Sequence, residues 1–151
     1  MSKIGWDDYF FGLVSAASKK STCIRRQIGA IIIRDNEVIA TGFNHAPFGQ
    51  RNCQEYGKCQ RDELKIQSGL YVDKCFALHA EVHAIVHAAK CGHPLYGSTM
   101  YVKVQPCNAC ARAMIVAGIK TVIYREKYPF SESDAMFARA CVTVIQSKGE
   151  E

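Results

Sequence analysis

The sequence predicts an α/β fold of three layers, a five-stranded mixed sheet with helices on both faces. Three observations carry this expectation. Apolar periodicity gives one helix, then two adjacent β-branched runs, then strands and helices in alternation, the order of a covered, partly parallel sheet. The 151 residues, 48% hydrophobic and 22% charged, suit one well-buried domain over 1–151 and are too few for two. The chemistry-bearing residues cluster at helix starts, where sheets of this kind bind ligands beyond their strand ends.

Each element has a local reason. Trp6 to Lys19 carries apolar residues at helical spacing, with Asp7 and Asp8 near its start and Lys19 and Lys20 at its end to complement the helix dipole. Gly29 to Arg34 is a continuous β-branched run, the mark of a strand buried on both faces. Asp35-Asn36 makes a tight turn into a second strand, Val38 to Asn44. From His45 to Lys74 no periodicity is visible, and Pro47, Gly49, Gly57 and Gly69 punctuate the stretch. A loop of this length is uncommon unless it is functional or tied down. His79 to Cys91 is helical, stopped by Gly92 with Pro94 beyond. Thr99 to Val104 reads as a strand, and Pro106 opens a helix over Cys107 to Ala117 that Gly118 ends. Thr121 to Tyr124 is a strand, Glu132 to Ala140 a short helix, and Val142 to Ile145 a last strand.

Charge and hydropathy narrow the partners. The net charge of +5 is mild, and the only tight basic group is Lys19, Lys20, Arg25 and Arg26. A polymeric nucleic acid calls for a basic stripe or block, so none is expected as a partner. A phosphorylated small molecule suits the excess. No apolar run approaches a membrane span, and the N-terminal residues lack a signal-peptide core, so a cytoplasmic location and no membrane partner are expected.

Two short motifs must meet in space: His79-Ala80-Glu81 and Pro106-Cys107-Asn108-Ala109-Cys110. One imidazole and two thiolates fill three corners of a zinc tetrahedron and leave the fourth for water, whose pKa falls to roughly 7 there. Glu81 is left over as a proton carrier. It stands two places after His79, which on a regular helix would turn it away, a difficulty that eases if the pair straddles the helix start. The acid is one place too late for the His-Glu-x-x-His protease pattern. His79, His83 and His87 form an i, i+4, i+8 stripe, but the cysteines compete better for zinc. Eight cysteines are many for a reducing compartment, which favours metal binding over disulfides. Cys23, Cys53, Cys59 and Cys75 are candidates for a second, closed zinc site, or else reduced thiols near the surface. Cys91 and Cys141, in apolar surroundings, read as small core residues. Asn44 ends a strand where its amide could bond a ribose hydroxyl, and Arg25, Arg26 and Arg51 are candidate phosphate partners.

The pattern H-x-E…P-C-x-x-C is an established signature of zinc nucleobase deaminases. The chain further resembles the deoxycytidylate (dCMP) deaminase family of the cytidine deaminase superfamily. The resemblance runs through Ser21-Thr22-Cys23, Gly29-Ala30, Gly42-Phe43-Asn44, Cys59-Gln60-Arg61, Ser68-Gly69 and Cys75 to both zinc motifs. It implies a cytidine-deaminase-like fold, zinc on His79, Cys107 and Cys110, and Glu81 as proton shuttle. It also implies hydrolysis of dCMP to dUMP, Asn44 as a substrate contact and Tyr128 as a pocket aromatic. A homo-oligomer, hexamer or dimer, under control by dCTP and dTTP goes with the family, and some of its phage members hold a second zinc with partly different ligands. Two positions depart from the family pattern: His45 replaces a usual glycine and His83 a usual asparagine. If either touches the nucleotide, base or phosphate selection changes. The alternatives are therefore a modified cytosine nucleotide such as 5-methyl-dCMP as substrate, or a non-catalytic, zinc-stabilised nucleotide-binding module.

Overall fold

The sheet is built around β1 (Gly29–Arg34), whose residues alternate between two apolar layers. β2 (Glu37–Phe43) returns antiparallel beside it through a turn whose central residues, Asp35 and Asn36, both take positive φ (52° and 60°). That is the demand of a type I′ hairpin, which Asp and Asn meet better than most side chains. On its other side β1 pairs antiparallel with β3 (Thr99–Val104), which is followed in parallel by β4 (Thr121–Glu126) and β5 (Thr143–Gln146). The strand order is β2-β1-β3-β4-β5. This is the five-stranded mixed sheet expected from sequence. A computed structural model describes residues 3–149, so the expected domain limits, Met1 and Glu151, lie outside the described residues.

One face of the sheet carries α1 (Trp6–Ser18), which packs Phe10, Phe11 and Val14 on Ile31, Ile33, Tyr101 and Ile123. The opposite face carries α4 (Ala80–Cys91), α5 (Asn108–Ala117) and α6 (Ser133–Arg139) over Ile32, Met100, Val102 and Val122. Burying each such aliphatic side chain stabilises the fold by about 1.5–3 kcal/mol. The His45–Lys74 stretch is not bare loop: α2 (Cys53–Tyr56), α3 (Gln60–Glu63) and a 3₁₀ turn (Val72–Lys74) lie within or at the end of it. Asn52 and Glu55 close a reciprocal capping box on α2, and the buried Arg61 guanidinium donates to the carbonyls of Gln67 (3.1 Å) and Leu70 (2.6 Å). Cys91 and Cys141, expected in the core, are exposed. Cys91 lies at the frayed end of α4 just before its glycine cap, and Cys141 sits in a turn with positive φ (55°).

α4 approaches the sheet so closely that it requires a glycine. A Cβ on Gly42 would stand 2.2 Å from the Ala80 carbonyl oxygen and 2.5 Å from the Ala84 nitrogen. Gly42→Ala is expected to cost about 3 kcal/mol or more by forcing backbone apart, lowering Tm by roughly 6–12 °C. A Cβ on Gly12, on the exposed side of α1, meets nothing within 4 Å. Gly12→Ala should leave Tm unchanged or raise it, and thermal scans of the two variants check the contrast.

α4 also closes the free margin of the sheet. The His87 Nδ1 lies 3.2 Å from the Thr41 nitrogen and 3.0 Å from its oxygen. The His83 Nδ1 lies 3.1 Å from both the nitrogen and the oxygen of Phe43. These backbone groups of β2 face away from β1, and each imidazole covers them, its Nδ1 accepting from the N–H in one tautomer or donating to the carbonyl in the other.

Candidate active site

His79 and Cys107 are the N-cap residues of α4 and α5, both with extended backbone (φ −72°, ψ 150° and φ −71°, ψ 166°). Glu81 and Cys110 follow in the first turns. Because His79 stands before the helical path begins, it and Glu81 can turn toward one centre despite their spacing of two. That is the straddled helix start at which the difficulty eases.

The His79 Nδ1 lies 3.6 Å from the Cys107 Sγ and 3.4 Å from the Cys110 Sγ. Tetrahedral zinc with Zn–S near 2.3 Å and Zn–N near 2.0–2.1 Å separates its ligand atoms by roughly 3.5–3.8 Å. Both nitrogen–sulfur separations thus lie close to the spacing a zinc ion needs. Among the described residues they are the one such group, their ligand atoms all within 4.8 Å of one another. Glu81 is 5% exposed and stands beside them, its Oε2 3.7 Å from the Cys110 Sγ. It is a neighbour of the triad, free to carry a proton.

The electrostatics describe a cage prepared for a cation. A hydrogen bond from the Cys110 thiol, helped by His79, pulls the Cys107 thiol down to about 4 against the opposing effect of burial. Cys110 is pushed up correspondingly, by that same hydrogen bond and by burial. A dication bound there would hold both sulfurs as thiolates. The Cys107 thiolate raises the pKa of His79 despite burial. Burial raises that of Glu81, with His79 pulling the other way.

The site opens onto a cavity lined by Asn44, Tyr128, Arg26, Arg25, Arg61 and Gln105, among others. Asn44 is anchored: its Oδ1 accepts from Ser21 Oγ (2.6 Å) and the Ile28 N–H (2.9 Å), and its Nδ2 donates to the Arg26 carbonyl (2.8 Å). An amide nitrogen has two hydrogens, so one is left for a ligand. Arg26 lies over the Tyr128 ring, 5.8 Å from its centroid, and reaches Glu126 at 3.4 Å. Arg51 stacks on Tyr56 and does not line the cavity.

His45 and His83, expected to face the nucleotide, do not line this cavity either. They line a second one beside the outer side of α4, with Phe48, Val86 and Lys90. The His83 ring is drawn there by its contact with the Phe43 backbone, and His45 stacks on Phe48 (4.6 Å between centroids) while meeting His83 edge to face (4.4 Å).

The four remaining cysteines converge on one region. Cys53 and Cys59 are buried, and Cys23, Cys59 and Cys75 border the cavity. The Cys23 Sγ accepts from the N–H groups of Arg25 and Arg26, both at 3.4 Å. Burial, with the charges of the other three, pushes the Cys53 thiol up to about 11. Their sulfurs do not close to the ligand spacing of the first site.

Gln105 was not singled out from sequence, and Arg61 entered only within the Cys59-Gln60-Arg61 stretch of the resemblance, without a role. Arg61 sits in the aperiodic stretch, where nothing marks which polar residue is buried. Gln105 carries a weak signal, a polar side chain at the end of an apolar strand just before Pro106-Cys107.

Such a cage, three zinc donors at the starts of two helices with a free buried carboxylate alongside, defines a zinc-dependent deaminase site. Residues 4–126 match the family model for the cytidine and deoxycytidylate deaminase zinc-binding region. The chain belongs to that family. It is 35% identical over 129 residues to the deoxycytidylate deaminase of Mycobacterium phage D29, covering 82% of this chain and 97% of the relative. It is 36% identical over 137 residues to that of Schizosaccharomyces pombe, where 89% of this chain spans only 41% of the relative. The structure of the cyanophage S-TIM5 dCMP deaminase in complex with dCMP and dUMP superposes with a TM-score of 0.78, at 26% identity, covering 97% of this chain and 100% of that one.

Proposed function

We propose that the protein hydrolyses dCMP to dUMP and ammonia. The observation that carries this reading is the His79–Cys107–Cys110 cage with the Glu81 carboxylate held beside it, its Oε2 3.7 Å from the Cys110 Sγ. Zinc bound in this cage supplies an activated water as nucleophile. Glu81 would take one proton of that water as its oxygen bonds to C4 and pass it to N3, then take the proton of the new C4 hydroxyl, as the carbonyl forms, and give it to the amine, which leaves as ammonia. The ring keeps its electron count, and the C4–N bond is the one that breaks. Arg25, Arg26 and Arg61 give the cavity the charge a 5′-phosphate needs. Asn44 offers its spare N–H to the sugar and Tyr128 its ring to the base. The positions of His45 and His83 support ordinary dCMP rather than a 5-substituted base.

In the same reading Cys23, Cys53, Cys59 and Cys75 hold a second zinc that ties down the His45–Lys74 stretch. Amide donation to Cys23 supports it, because N–H groups directed at sulfur stabilise a bound thiolate. A cytoplasmic homo-oligomer, hexamer or dimer, answering to dCTP and dTTP, is the remainder of the reading, supported by family membership. Among the described residues no helix is long and apolar enough to cross a membrane.

The test is turnover by zinc-loaded protein on dCMP, 5-methyl-dCMP, CMP, deoxycytidine and a cytosine-containing oligonucleotide, with and without dCTP or dTTP. The expected result is dCMP converted with kcat/KM about a hundredfold above deoxycytidine, the worth of charge-assisted bonds to one phosphate. No conversion of dCMP, or equal use of the nucleoside, overturns the reading.

A further inference from the structure

We propose that Gln105 is a positioning residue which, paired with Asp134, holds Tyr128 at the wall of the substrate cavity; this rests on that cavity being the nucleotide site. Gln105 is 4% exposed at the end of β3, and both ends of its carboxamide are engaged. Its Nε2 donates to the Asp134 Oδ1 at 2.9 Å, and its Oε1 accepts the Tyr128 N–H at 3.2 Å. Asp134 can only accept, so the amide has one possible orientation, oxygen toward Tyr128. Among the described residues Gln105 is the sole partner of the Tyr128 N–H.

The pair gathers four pieces of chain. Asp134 starts α6, and its Oδ2 accepts from the Tyr124 hydroxyl of β4 (2.9 Å) and from the Lys127 ammonium (2.6 Å). Burial opposes ionisation of Asp134, but donation from Lys127, Tyr124 and Gln105 outweighs it and holds the carboxyl below its usual range. The acceptor is thus charged at neutral pH, and a charge-assisted bond locks the amide. The next residues are pinned separately: Ser131 Oγ donates to the Pro106 carbonyl (2.7 Å) and the Glu132 N–H to Asn108 Oδ1 (2.9 Å). Those bonds fix the far end of the segment, and Tyr128 itself is held by its N–H on Gln105 and by the Ser131 N–H on its carbonyl (3.3 Å). Gln105 also precedes Pro106-Cys107, so one side chain ties the wall of the cavity to the start of the metal-binding helix.

The pair can be exchanged. Gln105→Glu keeps an acceptor for the Tyr128 N–H but sets a carboxylate against Asp134. Asp134→Asn keeps an acceptor for Tyr124 and Lys127 while turning an N–H toward position 105. In the double variant every bond has a partner again. Two readouts are taken on zinc-loaded protein: steady-state kinetics with dCMP and hydrogen exchange of the Tyr128 amide. Gln105→Glu is expected to raise KM about tenfold and speed the exchange about tenfold, each equivalent to one lost hydrogen bond. Its kcat should stay within about threefold, because ground-state placement and not proton transfer is disturbed. The double variant should recover most of both losses. Unchanged KM and exchange in Gln105→Glu, or no recovery in the double variant, overturn the proposal. Asp134→Asn alone, at a half-exposed position, breaks the same contact if the buried substitution prevents folding. Failure of wild-type protein to turn over dCMP refutes the substrate and not the brace, which the exchange rate of the Tyr128 amide still decides.

Discussion

Glu81→Gln lowers kcat for dCMP by about 10²–10⁴-fold, the usual contribution of general acid–base catalysis, while zinc content and dCMP binding stay at the wild-type level. The amide fills the same space but cannot take a proton from water or return one to N3 and the amine. Glu81 is not among the three zinc donors, so its loss leaves the cage intact. A stability measurement adds a second, independent check. The pKa of Glu81 is raised by burial in the metal-free fold. A carboxyl so raised stabilises the fold below its unfolded pKa and loses that contribution as pH rises through the folded value. In metal-free protein, Glu81→Gln should therefore become more stable than wild type as pH climbs from the ordinary glutamate range, with the gap levelling above the folded pKa. Denaturant titrations across that range read it. Unchanged kcat in the Gln variant would remove Glu81 from the proton transfers.

Cys110→Ala is expected to be more severe, with activity reduced by more than about 10⁴-fold because nucleophile activation goes with the metal. Cys110 is 2% exposed and its Sγ lies between His79 and Glu81, so no water can easily take its place. Metal analysis should show one zinc lost per chain. A second equivalent retained by the variant would belong to Cys23, Cys53, Cys59 and Cys75. Metal removal from wild type offers the complementary measurement. With its thiol held at about 4, Cys107 is a thiolate in the empty cage. Iodoacetamide at pH 6 should label it in chelator-treated protein and spare it when zinc is restored. Equal labelling in both states would remove the metal from that cysteine.

The zinc centre was legible from sequence because each half is a short motif that marks itself, although His79 and Cys110 lie 31 residues apart. Pro106 and the apolar periodicity after it placed Cys107 at a helix start, and the spacing of Glu81 from His79 fitted best at another. β1 and the Asp35-Asn36 turn were legible for a like reason, since both follow from residues adjacent in the chain. α2 and α3 were not, because helices of four residues hold a single turn and show no period. Asn52 and Glu55 did carry a capping-box spacing, a sign that a helix begins there. His45 and His83 escaped because their surroundings depend on how α4 lies across β2, and Gln105 because Asp134 is 29 residues away. Cys91 and Cys141 show the reverse error, apolar neighbours in sequence that are not neighbours in the core.

The imidazoles on Thr41 and Phe43 also constrain how copies of this chain can meet. An unpaired edge strand is a template for another chain, whether in a continuous intermolecular sheet or in aggregation. Along the C-terminal half of β2 that template is already filled by rings that present no further backbone ladder. A neighbouring subunit cannot extend the sheet there without displacing both histidines. Assembly through this part of the margin must proceed by packing side chains, and the imidazoles leave the N-terminal half of β2 and the β5 edge clear for strand addition.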